Sequence, residues 1–130
     1  MANPIQIVTG STEIPVSVTN PLAVSAGSGA GFGSGEYETV AASQTAQPLG
    51  PTTGATGDYL NGLLVVPATT SPGNVLLLDN ATSITVFTGG ANSVSNLIPF
   101  FIYIGANSVS GAWKVTTGAN VSVIGVGNFT

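Results

Sequence analysis

Leu97-Ile-Pro-Phe-Phe-Ile-Tyr-Ile104 is the stretch on which the fold turns. It is almost wholly apolar, rich in aromatic and β-branched side chains, and bounded by Asn96 and Gly105. A short run of this kind between turn residues reads as a strand buried on both faces or lodged in a sandwich core. Such a strand is expected inside a sheet rather than at its edge, so it demands partners on either side.

The flanking sequence supplies them at short intervals. Asp58–Val66 opens the main block, and its Asn61-Gly62 pair reads either as a hairpin turn or as a β-bulge. Thr69–Gly73, with Pro72-Gly73 at its corner, reads as a reversal before Val75–Asp79. An Asn80-Ala-Thr turn then leads into Ser83–Thr88, with Ile84 and Val86 on one side. Gly90-Ala-Asn, Gly105-Ala-Asn and Gly118-Ala-Asn recur near the end of the chain. Gly and Asn tolerate the left-handed backbone of tight connections, so each is expected at a corner. Ala112–Thr116 and Asn120–Phe129, the second alternating Val121 and Val123, complete the set.

Upstream the pattern changes. Residues 4–9 and 13–19 alternate, with Ile5 and Ile7, then Ile14, Val16 and Val18, on one side of each run. Glycine occupies every second position from Gly27 to Gly35, around Phe32, which is the composition of a linker. Residues 1–35 therefore read as an extended arm, and residues 36–130 as the domain. Glu36–Ala42 is a strand in which Glu36 and Glu38 share a face, and the Pro48- and Pro51-bearing stretch Ser43–Thr56 is a connection. About eight strands around one core predict an all-β, single-domain antiparallel sandwich, most economically a jelly roll, with an up-and-down barrel as the alternative. Ile5, Ile7, Ile14, Val16, Val18 and Phe32 are the candidate interface residues of the arm.

Charge is the most restrictive feature of the composition. Only 5% of the 130 residues are charged, where ordinary domains carry roughly 25%. The carboxylates are Glu13, Glu36, Glu38, Asp58 and Asp79, and the one cation is Lys114. A surface without charge is poorly protected against association, so neighbouring subunits are expected to cover much of it. A monomer coated with hydroxyls and amides is the alternative. A net charge of −4 with a single lysine excludes phosphate-backbone contacts and hence nucleic acid. The N-terminus has neither the basic residues nor the apolar stretch of a secretory signal, and no run is long enough to span a membrane. The expectation is a soluble protein made in a cytoplasm, with no membrane partner.

Catalytic chemistry finds few reagents here. Without histidine or cysteine there is no triad and no zinc site, and no enzyme, cofactor or metal is expected. Lys114, beside Trp113, is expected over the indole ring or in water. Asp58 and Asp79 are turn-forming carboxylates or, with backbone carbonyls, calcium ligands. Trp113, Tyr59 and Tyr103 belong to the core or an interface, or else line a sugar-binding platform.

The segments Gly57–Gly73, Ile84–Gly90 and Gly111–Val123 resemble small structural proteins of tailed-bacteriophage particles, most closely head decoration, or cement, proteins. The resemblance covers roughly residues 57–130. It implies a jelly-roll subunit, dimeric or trimeric, on the outer surface of the virion capsid, bridging neighbouring major capsid proteins after synthesis in the host cytoplasm. A tail-fibre, spike or carbohydrate-binding module is the alternative function.

Overall fold

The computed structural model describes residues 35–130. The alternating runs at 4–9 and 13–19, and the arm residues Ile5, Ile7, Ile14, Val16, Val18 and Phe32, lie outside the described residues. What is described is all-β, in eight strands: β1 (Glu36–Val40), β2 (Gln47–Pro48), β3 (Tyr59–Pro67), β4 (Val75–Asp79), β5 (Thr82–Phe87), β6 (Phe100–Asn107), β7 (Trp113–Thr117) and β8 (Val121–Asn128).

Two four-stranded sheets result, in the orders β1-β8-β3-β6 and β2-β7-β4-β5, with every pairing antiparallel. Four of the pairings trace one long hairpin. Leu77 faces Ile84, Leu63 faces Ile102, Gln47 faces Val115 and Val40 faces Val123, each pair at nearly equal chain distance from the Asn80–Ala81 turn. Rolling that hairpin so that β3 also meets β8, and β4 also meets β7, closes the sandwich. This is the jelly roll.

Alternation puts the core between the sheets. In β8 Val121, Val123, Gly125 and Gly127 are buried while Ser122, Ile124, Val126 and Asn128 are half-covered on the other face. Trp113 and Val115 of β7, Val75 and Leu77 of β4, and Leu60, Leu63 and Val65 of β3 meet them from around the core. Leu49, just past β2, is fully buried and reaches the space left by the missing side chain of Gly125. Burying each such leucine or valine contributes about 1.5–3 kcal/mol.

Several expectations are corrected. The octapeptide does not lie inside a sheet: β6 begins at Phe100 and forms one edge of the first sheet, while Leu97, Ile98 and Pro99 precede it and are exposed. Phe100 and Ile102 pack inward against the core, but Phe101 and Tyr103 face out. The second Gly-Ala-Asn is not a corner either. Gly105, at φ 65°, sits within β6, where Ile104 and Gly105 together oppose Asn61 and form a bulge. The third does turn the chain, with Asn120 at φ 62° between β7 and β8. Of the two readings of Asn61-Gly62 the bulge holds, with Asn61 the extra residue of β3 against β8, between the Leu60–Gly127 and Gly62–Val126 pairs. The connection expected at Ser43–Thr56 contains the two-residue β2. Lys114 cannot lie over Trp113, because successive strand residues point to opposite faces; its Nζ reaches Asn80 Oδ1 at 3.5 Å.

Candidate functional site

The carboxylates come first, since they are the only candidates for acid–base or metal chemistry. Asp58 is buried, 6% exposed, immediately before β3. Its Oδ2 accepts the Ala55 and Thr130 N–H groups at 2.8 and 3.1 Å, and its Oδ1 accepts the Thr130 hydroxyl at 2.6 Å. Its carbonyl accepts the Trp113 indole N–H at 2.9 Å. Asp79, at the end of β4, accepts the successive N–H groups of Val109, Ser110 and Gly111 at 2.9–3.2 Å. Glu36 Oε1 accepts the Phe129 N–H.

Three carboxylates thus staple loops at one end of the sandwich. Lone pairs already occupied by N–H donors are not presented to a cation, so Asp58 and Asp79 have the turn-forming role. Among the described residues no group of three or more acidic side chains is placed to hold a metal. The hollow of about 180 Å³ at this end is lined by Gly57, Asp58, Tyr59, Asn107, Asn128 and Thr130. Its polar groups are partly committed, Asn107 Nδ2 donating to the Gly57 carbonyl at 2.7 Å.

Of the three aromatic candidates, Trp113 is separated from the two tyrosines, which are neighbours. Trp113 is in the core, and Tyr59 and Tyr103 lie on the outer face of the first sheet. Burial, and then the neighbouring Tyr103 hydroxyl, push Tyr59 above the ordinary tyrosine range.

That outer face is the broadest uncharged sheet surface among the described residues. Read across the strands, one row is Tyr37, Val126, Gly62 and Tyr103; the next is Thr39, Ile124, Leu64 and Phe101; a third joins Ser122 to Val66. None of these side chains carries a formal charge. Tyr37 is 70% exposed, Tyr103 69% and Phe101 47%. A Cβ at Gly62 would lie 2.4 Å from Phe101 Cζ, and a Cβ at Gly105 would fall on the Tyr103 phenol. Both rings therefore lie down over glycines, and the face is flat. Tyr59, Asn107 and Asn128 line up as its polar margin.

The second sheet differs. Its outward positions put Leu76 and Leu78 beside Thr85, Ser83, Thr116 and Lys114, the mixture expected of a wetted face.

Sequence reasoning placed the interface residues in the arm and did not identify this face. The signal was present in Leu63-Leu-Val-Val66 and Val123-Ile124, uninterrupted apolar runs where an antiparallel strand wetted on one side would alternate. Comparison of the chain with protein-family models, with curated proteins and with solved structures finds no match.

Proposed function

We propose that this chain is a structural virion protein, a head decoration or cement subunit that binds the outside of a phage capsid and bridges neighbouring major capsid proteins as a homo-oligomer, dimeric or trimeric. The observation that carries the reading is a flat, uncharged apolar sheet face on a domain whose carboxylates Glu36, Asp58 and Asp79 are engaged in holding its own loops. The sequence resemblance over residues 57–130 supports it. A cement subunit works by burying area at several points around a shell, at about 25 cal/mol for each Å² of apolar surface. Contacts of that kind hold without ion pairs.

The test is add-back to particles lacking the subunit. The purified protein is expected to occupy regular sites on the capsid and to raise the temperature at which the particles open. Deletion of residues 1–35 is expected to abolish attachment through Ile5, Ile7, Ile14, Val16, Val18 and Phe32 while leaving a folded domain. Saturating protein with no regular occupancy and no change in opening temperature overturns the reading.

Glycan binding at Tyr59 and Tyr103 is the second reading, favoured by the half-buried Tyr59 phenol beside Asn107 and Asn128 and by the exposed Tyr103 phenol next to it. It predicts glycan-array signal that Tyr103→Ala removes.

A further inference from the structure

We infer that the outer face of the β1-β8-β3-β6 sheet is the contact surface for a second copy of this chain, the two faces packing against each other across a twofold axis. The first argument is two-sided burial. Leu64, Val66, Ile124 and Val126 stand on the outward side of the two central strands, where an antiparallel sheet facing water carries polar residues. A flat partner is implied, because Phe101 and Tyr103 lie over Gly62 and Gly105 instead of standing up as knobs. Another sheet, packed about 10 Å away, fits such a face.

The second argument is charge. Two copies of an acidic chain normally repel, yet Glu36, Asp58 and Asp79 accept hydrogen bonds at the end of the sandwich and lie off this face, and Lys114 projects from the other sheet. Identical uncharged faces can therefore meet without burying an unpaired ion. Area is the third. Four strands about 4.8 Å apart, over about six residues at 3.3 Å each, cover roughly 400 Å² in plan, and two such faces with their side-chain relief remove about 1,000 Å² from water. That reaches the lower bound of a specific interface of about 1,000 Å². The anatomy fits as well, with an apolar centre and a margin of Tyr59, Asn107, Asn128, Thr39 and Ser122.

The inference deepens the homo-oligomer of the proposed function and rests on the same face, but it is tested without particles, by sedimentation of the purified full chain over a range of concentrations. The expected mass is twice the 12.8 kDa of one copy. Ile124→Lys puts an unpaired charge at the centre of the contact, twice over by symmetry, and is expected to weaken association by about 100-fold or more. Tyr37→Lys, at a highly exposed edge position that folding does not need, is expected to weaken it less and in the same direction. Leu76→Lys, on the outward side of the other sheet, is expected to leave the mass unchanged. Near-ultraviolet circular dichroism of buried Trp113 reports whether each variant keeps its core. A wild-type chain that stays single-copy at every concentration overturns the inference, and means that residues 1–34 or another protein cover the face. So does a folded pair of lysine variants at positions 124 and 37 that still associates, or dissociation by Leu76→Lys.

Discussion

Asp58 illustrates how a rare charge is used in this chain. Its carboxylate holds Ala55 and Thr130, its carbonyl holds Trp113 and Ser108, and its N–H donates to the Ala55 carbonyl. Asp58→Ala leaves the part-buried Ala55 and Thr130 N–H donors without an acceptor and is expected to cost about 1–3 kcal/mol, read as a lowered urea midpoint. Asp58→Asn keeps an oxygen for the two N–H groups and offers an N–H to the Thr130 hydroxyl, so about 1 kcal/mol is expected. Equal damage from both would show that the charge matters and not the hydrogen bonds. Tyr59 gives a residue-scale prediction in pH. Its folded pKa is raised, first by burial and then by Tyr103, so the stability it contributes is present below the unfolded value and is lost as pH rises through the folded one. Tyr103→Phe removes the neighbouring hydroxyl and is expected to bring the Tyr59 phenolate absorbance step to lower pH. The turn-forming role of Asp58 toward Ala55 was legible in the sequence, whereas its pairings with Thr130, Ser108 and Trp113 were not, because those residues are distant in the chain and only the rolled fold brings them together.

At the scale of elements, the strands were legible and their places were not. Alternation and turn residues located β3, β4, β7 and β8 to within a residue or two, because those signals are local. Whether a strand is central or at an edge depends on what folds beside it. Leu97–Ile104 has the composition of an inner strand, and becomes an edge because the roll pairs β6 with β3 alone. Its two-sided apolar character is real, and its outward side is the face described above. β2 was missed because two residues, one of them Pro48, carry no periodicity. The edge position predicts amide exchange: β3 and β8, paired on both sides, are expected to be the most protected, and β6 measurably less so. The close fit between β3 and β6 predicts the effect of Gly62→Ala. The new methyl would lie 2.4 Å from both the Ile102 carbonyl and Phe101 Cζ. Moving the ring relieves only one clash, so a loss of about 1–3 kcal/mol is expected, and adding Phe101→Ala should not restore stability.

For the whole molecule, the consequential fact is where charge is absent. Glu36, Asp58 and Asp79 collect at the end of the sandwich that holds Phe129, Thr130 and the β6–β7 loop. The broad outer face of the first sheet is left to apolar groups and phenols. The sparse charge could be read directly from composition, and so could the expectation that protein covers the surface. Which surface it is could not, since the face is assembled from residues as far apart in sequence as Tyr37 and Val126. A contact made in this way responds to salt in a particular direction. Ion pairs between exposed side chains weaken as the screening length falls from about 10 Å at 0.1 M to about 3 Å at 1 M. Apolar burial has no such dependence, and excluded salts such as sulfate strengthen it. Association of the purified chain, and its retention on particles, are therefore expected to be unchanged between 0.1 and 1 M sodium chloride and to tighten in sulfate, measured by sedimentation and by bound copies per particle. Release by sodium chloride would place ion pairs at the contact, and the described charged residues positioned to supply them are Glu38 at the β1 margin and Lys114 on the opposite sheet. Such an outcome would move the interface away from the flat face and onto an edge.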